Sequence, residues 1–209
     1  MKMTERRDSD ASRLEDLWAG EFGDAYIQRN INVAAGREGF WNTLFAKYSV
    51  RSVLEIGCNV GANLQWICKL ASSGEVYGVD INKRALERLR SNLPSVNAIR
   101  SPARNLPFRD NRFDLVFTAG VLIHQSNDTL PIVMAEIVRC ARRYVLCIEY
   151  FAEETVEIPY RGQPRALFKR DYGRLYEEIF SELKLLEHGM LTREQGWDDV
   201  TFWLFEKMH

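Results

Sequence analysis

Between positions 51 and 148 the chain alternates short apolar runs with amphipathic stretches, and this alternation constrains the fold more than any other feature. The runs at 51–56, 75–80, 96–100, 113–118 and 144–148 have the length and composition of buried strands. The spacing between them predicts helices over about 62–71, 83–93 and 128–140, the second with Ala85, Leu86 and Leu89 facing inward and Pro94 stopping it. Strands separated by helices pair in parallel through right-handed crossovers. The last part of the chain breaks this rhythm. A helix over 169–180 is followed by strand-like runs at 183–188 and 200–206, joined by a turn containing Gly189 and Gly196. Two strands with no helix between them pair antiparallel. Upstream, Leu14, Leu17 and Trp18 follow helical spacing after the cap candidates Ser9 and Asp10, and Phe40, Trp41, Leu44 and Phe45 do so after Asn32. The expected class is α/β, with a mostly parallel sheet, helices on both faces and an antiparallel end.

A chain of 209 residues fits one domain, and its core needs no disulfide or metal. With a net charge of −1, no global field favours nucleic acid or an anionic membrane. The four cysteines (Cys58, Cys68, Cys140, Cys147) form no CxxC pair, and no histidine stands at metal-ligand spacing from them; they read as small buried hydrophobes in a reducing compartment. No metal is expected. The charged stretch from Met1 to Asp10 is not a secretory signal, and no apolar run is long enough to cross a bilayer, so the expected compartment is the cytoplasm.

The densest signal is Val53-Leu-Glu-Ile-Gly-Cys-Asn-Val-Gly61, a strand running into a glycine turn with a helix starting near Gly61. Asp80 follows Gly57 by 23 residues at the end of the next strand, where a Rossmann-type fold places an acid for ribose hydroxyls. The dinucleotide fingerprint is incomplete, because Asn59 occupies the middle glycine position. Asn tolerates the left-handed conformation, so the turn remains feasible. Glu55 would repel a pyrophosphate but suits a ligand with a cationic amine. His124 lies beyond the fourth strand, where open α/β sheets bind ligands, and an imidazole there can take a proton near neutral pH. Arg161, Arg165, Lys169 and Arg170 cluster after the fifth strand, and arginines hold carboxylate or phosphate. Trp18, Phe22, Tyr26 and Arg29 are candidates for an N-terminal cover.

The string Val53 to Gly61 resembles the first motif of class I S-adenosylmethionine-dependent methyltransferases. Asp80 matches their ribose-binding acid, and Ala103-Arg-Asn-Leu-Pro-Phe108 is similar to the segment lining the adenine. Phe113 to Thr118 with Val121-Leu-Ile-His124 resembles their fourth motif and its exit loop. A narrower resemblance, carried by Trp18 to Gly23, Ile148-Glu-Tyr-Phe151, Tyr160-Arg-Gly162 and Leu167 to Asp171, is to methylases associated with pseudaminic acid biosynthesis. The resemblance implies a Rossmann-like seven-stranded sheet in one methyltransferase domain. Its parts would be an N-terminal helical lid (1–48), a cofactor-binding core (49–150), an acceptor-side insertion and helix (151–182) and a terminal hairpin (183–209). It implies S-adenosylmethionine as cofactor, held by Glu55, Gly57, Cys58, Asn59, Gly61, Asp80, Ile81, Ala103, Arg104 and Ala119 with Tyr26 and Arg29.

On that reading the reaction is methyl transfer to a small-molecule acceptor, with His124 as the general base for a hydroxyl. Tyr160, Arg161, Lys169 and Arg170 would recognise an anionic sugar or nonulosonate-related metabolite. One departure stands out: Pro102 occupies the place where many relatives carry an acid for the adenine amino group. Two other readings remain open at this level, a nucleotide-binding oxidoreductase and a methyltransferase-fold scaffold without turnover in a biosynthetic complex. Asn59 and Pro102 keep the second alive. Oligomeric state is not legible.

Overall fold

The computed structural model describes residues 2–29, 36–71 and 75–208, with side chains described from residue 10. Seven strands form one sheet: β1 (Val53–Ile56), β2 (Val76–Asp80), β3 (Asn97–Arg100), β4 (Phe113–Ala119), β5 (Ala141–Glu149), β8 (Leu183–Leu191) and β9 (Val200–Lys207). Their order is β3-β2-β1-β4-β5-β9-β8. The first five pair in parallel, and β9 lies antiparallel between β5 and β8. A two-residue pair, β6 (Val156–Glu157) with β7 (Phe168–Lys169), sits outside this sheet. Strand order reverses between β1 and β4, so the crevice above their C-terminal ends is where this topology places a ligand.

The central strands are buried because helices cover both faces. Every residue of β1 is buried, as are the first six of β4. On one face Trp41 of α3 (Glu38–Lys47), fully buried, packs its ring 4.9 Å from Phe117. On the other, α6 (Leu130–Cys140) buries Val133, Met134 and Ile137, each contributing about 1.5–3 kcal/mol if fully removed from water. The helix α5 (Lys83–Asn92) buries Ala85, Leu86 and Leu89 as its periodicity requires, and its cap Asn82 accepts from the Ala85 N–H at 2.9 Å.

Several boundaries differ from the sequence expectation. The first helix, α1 (Lys2–Ala19), runs straight through Ser9 and Asp10. Asp10 instead pairs with Arg13 at 3.5 Å and Arg165 at 2.9 Å, so it serves the helix surface and not its cap. Asn32 lies outside the described residues. The helix expected over 62–71 contracts to α4 (Leu64–Ile67), because main-chain bonds such as Trp66 to Asn63 and Lys69 to Trp66 tighten the flanking turns. The helix expected from 169 starts at Tyr172 as α7 (Tyr172–Ile179): Asp171 caps it and Lys169 belongs to β7. Gly189 is no turn residue. It stays within β8 opposite Phe202, where a Cβ would meet that ring at 2.9 Å. The turn falls later, through Thr192 and Gly196, the latter left-handed at φ +80°.

Candidate active site

A cavity of about 510 Å³ opens at the β1/β4 crevice. Its floor is the first strand-turn-helix. Gly57 leaves β1 at φ +69°, and a Cβ there would meet Val121 at 2.3 Å, so only glycine lets the β1 and β4 loops close together. Asn59 does adopt the left-handed conformation, at φ +47°. Its N–H donates to Asp80 Oδ2 at 2.8 Å, and the Asn82 N–H donates to Oδ1 at 2.8 Å. A carboxylate has about four lone-pair sites, so Asp80 retains capacity for further donors. Burial raises its pKa, against the pull of these N–H bonds.

Glu55 is buried at 3% exposure. Its Oε1 accepts from Asn63 Nδ2 at 2.6 Å, and Oε2 has no partner among the described residues. Burial pushes the carboxyl up to about 8. The Asn63 carbonyl in turn accepts from Arg37, whose guanidinium lies 4.3 Å over the Trp197 ring and whose Nε–H donates to the Gly196 carbonyl. This chain of an arginine, an amide and a half-satisfied carboxylate lines the cavity.

The opposite wall is aromatic. Helices α1 and α2 (Glu21–Arg29) bring Trp18 and Tyr26 over the opening, their rings 5.4 Å apart. Polar contacts fasten these helices to the loops that follow β2 and β3. Asn82 Nδ2 donates to the Trp18 carbonyl and to Asp24, and Arg104 pairs with Glu15 at 2.6 Å. Trp18 also lies 4.4 Å from the His124 ring, and Tyr160 lies 5.3 Å from it.

His124 ends a short 3-10 turn (Leu122–His124) after β4 and is 8% exposed. Its Nδ1 is 2.5 Å from the Ala166 carbonyl oxygen. A carbonyl only accepts, so Nδ1 carries the proton and Nε2 keeps its lone pair. Burial lowers the imidazole to about 4, which keeps it neutral across the physiological range.

The cavity brings together Tyr26, Arg29, Glu55, Gly57, Cys58, Asn59, Asp80, Ile81, Ala103, Arg104, Ala119, His124, Tyr160 and Arg161. Gly61 lies outside it; at φ +85° it packs under Leu89 and Leu93, where a Cβ would meet Leu89 at 2.5 Å. Lys169 and Arg170 also lie outside. Lys169 sits over the Tyr150 ring, while Arg170 is buried and donates to the Gln125 carbonyl and to Asn127 Oδ1. Arg37, Asn63, Trp197 and Asp198 line the cavity without having been legible as site residues in the sequence. Trp197 is buried, but it also forms cavity wall. Arg37 carries no motif, and its role depends on residues 26 and 159 positions away. Among the described residues no cluster of three potential metal ligands occurs, and no helix is long and apolar enough to cross a membrane.

Residues 53–143 match the family model described as a methyltransferase domain. A phthiotriol/phenolphthiotriol dimycocerosates methyltransferase from Mycobacterium ulcerans is 33% identical over 70 residues, covering 32% of this chain and 26% of that protein. The chain thus spans about a quarter of the length of that curated relative. Among solved structures, magnesium protoporphyrin IX methyltransferase from Synechocystis PCC 6803 with bound S-adenosylhomocysteine superposes with a TM-score of 0.70 at 12% identity, covering 94% of this chain and 99% of that one. The 1,6-didemethyltoxoflavin-N1-methyltransferase of Burkholderia thailandensis, solved with its namesake compound and S-adenosylhomocysteine, gives 0.65 at 16% identity, covering 91% and 92%. The fold is that of class I methyltransferases. Residues 53–143, the stretch that matches the methyltransferase-domain model, carry Glu55, Gly57 and Asp80, and the S-adenosylhomocysteine bound in both solved structures is the demethylated form of S-adenosylmethionine. The cavity suits that cofactor: the unpartnered Glu55 Oε2 can accept from an ammonium, and Asp80 stands one strand away with acceptor capacity left.

Proposed function

We propose that this protein transfers a methyl group from S-adenosylmethionine to a hydroxyl of a small-molecule acceptor that enters beside His124. The observation that carries this reading is a single cavity joining Glu55, Gly57 and Asp80 to a neutral histidine with a free Nε2. When bound, the cofactor supplies an electrophilic methyl on a sulfonium. Glu55 would hold the amino-acid end, Asp80 the ribose, and Ile81, Ala103 and Arg104 the neighbourhood of the adenine. Ala119, Cys58 and Asn59 would line the path between them. Helices α1 and α2 would act as a lid through Trp18 and Tyr26. Aligning the reactants is the largest part of the catalysis. His124 would take the acceptor proton on Nε2. A base titrating at about 4 takes that proton late, as the new bond to carbon acidifies the O–H.

For the acceptor, we propose an anionic sugar or nonulosonate-related metabolite, gripped chiefly by Tyr160 and Arg161. This is narrower than a basic cluster of four. The Arg165 guanidinium is engaged with Asp10 while its main-chain N–H donates to Glu157, and Arg170 is buried against Tyr172 and the 125–127 loop. Arg161 remains exposed at the cavity wall. The test is incubation with methyl-labelled S-adenosylmethionine and pools of neutral, amino and acidic sugars, read by mass spectrometry. Label in an acidic sugar ether supports the reading. Label only in neutral sugars removes the anionic acceptor, and no label in any pool, with S-adenosylhomocysteine still bound, removes the hydroxyl-sugar reading altogether.

A further inference from the structure

The loop that carries His124 is held by a residue with no place in the reaction described above. Glu149, the last residue of β5, is fully buried. Its Oε1 accepts from the main-chain N–H groups of Val121 at 3.1 Å and Leu122 at 3.0 Å, and its Oε2 from that of Ile123 at 3.3 Å. The preceding N–H, of Gly120, donates to the Ile148 carbonyl at 2.9 Å. Four successive amides leaving β4 are therefore bound by two adjacent residues of β5. The His124 N–H then closes the turn onto the Val121 carbonyl at 3.0 Å. A buried carboxylate accepting three N–H bonds fixes that main chain far more firmly than solvent would, since each charge-assisted bond is strong and its loss strands a buried donor.

We propose that Glu149 is the positioning residue for His124, setting the place of the imidazole through the three amides at 121–123. The ring lies against Trp18 and Tyr160, and its one hydrogen bond among the described residues is at Nδ1, to the Ala166 carbonyl, on a segment 42 residues away in sequence. With the turn released, no hydrogen bond at Nε2 among the described residues would hold its direction. The inference rests on the reading of His124 as the acceptor-side base, but the geometry it concerns does not.

The clamp is also sensitive to protonation. Burial raises the Glu149 carboxyl to about 7, against the lowering effect of its N–H donors. The titratable groups facing it are the Cys147 thiol on its own strand, the Tyr150 hydroxyl beside it and the Tyr172 and Tyr176 hydroxyls of α7. Arg170 reaches the Tyr172 hydroxyl and not the carboxylate. A protonated Glu149 is a donor at one oxygen and cannot keep all three amides equally well. Because His124 itself titrates at about 4, a change in its ring signals near pH 7 that is lost in Glu149→Gln reports Glu149, and not the imidazole or the Glu55 carboxyl of the same cavity.

The experiment is nitrogen NMR of the full chain labelled at histidine and at the amides of 121–123, from pH 5 to 9, on the wild type and on Glu149→Gln. In the wild type, the three amides and the His124 ring nitrogens are expected to shift together with one midpoint near 7. In Glu149→Gln that midpoint disappears and the Nδ1–H signal of His124 moves, while S-adenosylhomocysteine binding by calorimetry is unchanged. Amides that titrate in the wild type while the ring does not would overturn the proposal without any variant, so a variant that fails to fold does not shelter it. A folded Glu149→Gln with unaltered His124 signals overturns it equally. If Glu149→Gln moves the ring but His124→Gln turns over normally, the positioning role stands and the base reading falls.

Discussion

The two halves of the cavity are built differently. The donor half comes from Glu55, Gly57, Asn59, Asn63 and Asp80, all within 26 positions along two adjacent strands and one turn. Its polar groups are set by local main-chain geometry: a left-handed glycine, a left-handed asparagine and two N–H bonds to one carboxylate. The acceptor half draws on Trp18, His124, Ala166 and Tyr160, spread over more than a hundred positions, and its contacts are ring to ring apart from the His124 hydrogen bond to the Ala166 carbonyl. The donor half is thus a property of a motif, whereas the acceptor half is a property of the assembled chain. Substitutions should behave accordingly: donor-side changes should act on binding, acceptor-side changes on turnover.

The largest expected effect is at His124. His124→Gln should lower kcat by about 10²–10⁴-fold while leaving S-adenosylhomocysteine affinity intact. The acidic limb of the wild-type pH–rate profile should lie near 4, because burial holds the imidazole there, and it should vanish in the variant. Intact kcat with a raised KM would make His124 a substrate-positioning group. The same burial affects stability. The folded pKa lies below the ordinary 6.5, so the unfolded chain gains a proton first, and stability is lost as pH falls from 6.5 to about 4.

Next comes Asp80. Asp80→Ala should weaken S-adenosylhomocysteine binding by roughly 1.5–3 kcal/mol, the scale of hydrogen bonds to a charged group. Part of that loss would come from the turn itself, since the Asn59 and Asn82 N–H groups lose their acceptor. Calorimetry showing unchanged affinity would remove Asp80 from the donor half.

These two residues also mark what could be read from the sequence. The β1–β5 alternation and the terminal antiparallel pair were legible because period and length are local properties, and the sheet follows them. That Glu55 and Asp80 share one cavity was legible because a fixed strand-turn-strand spacing puts them near the C-terminal ends of neighbouring strands. Arg37 was not, since its partners Asn63 and Gly196 are distant in sequence and no spacing rule joins them. Glu149 left one signal, a lone carboxylate ending an apolar run, but its three amide partners appear only once β4 and β5 are neighbours. The four cations carry the same limit: proximity in sequence did not show which guanidinium was already engaged.

A smaller effect tests the half-satisfied carboxylate. Glu55 titrates at about 8 in the folded chain, above its ordinary 4.5, so the folded state keeps a proton the unfolded state has released. That contribution to stability is fully present below 4.5 and is lost as pH rises to about 8. Glu55→Gln should flatten the fall in Tm over this window. In the wild type at pH 7, binding a ligand with an ammonium at Glu55 requires the carboxylate, so S-adenosylhomocysteine binding should release a fraction of a proton. Calorimetry in buffers of different ionisation enthalpy measures it. Equal release by Glu55→Gln would assign the proton elsewhere.

The smallest expected effect separates the cations that sequence placed together. Arg165 is exposed, and its guanidinium pairs with Asp10 of α1 at 2.9 Å, while its carbonyl accepts from Arg13 at 3.2 Å. A solvent-exposed pair of this kind contributes about 0–1 kcal/mol, because water screens it and two long side chains must be ordered to form it. Arg165→Ala should therefore shift Tm only slightly, and should leave both S-adenosylhomocysteine affinity and acceptor KM unchanged. Arg161→Ala, at the cavity wall, should raise acceptor KM without moving Tm. Arg170→Met should do the opposite, since Arg170 is itself buried and its loss leaves the part-buried Gln125 carbonyl without that donor, which acts on the fold. If Arg165→Ala raises acceptor KM as much as Arg161→Ala does, the acceptor reaches past the cavity rim onto the β6–β7 segment. The contrast between a compact acceptor half and a solvated charged surface would then have to be redrawn.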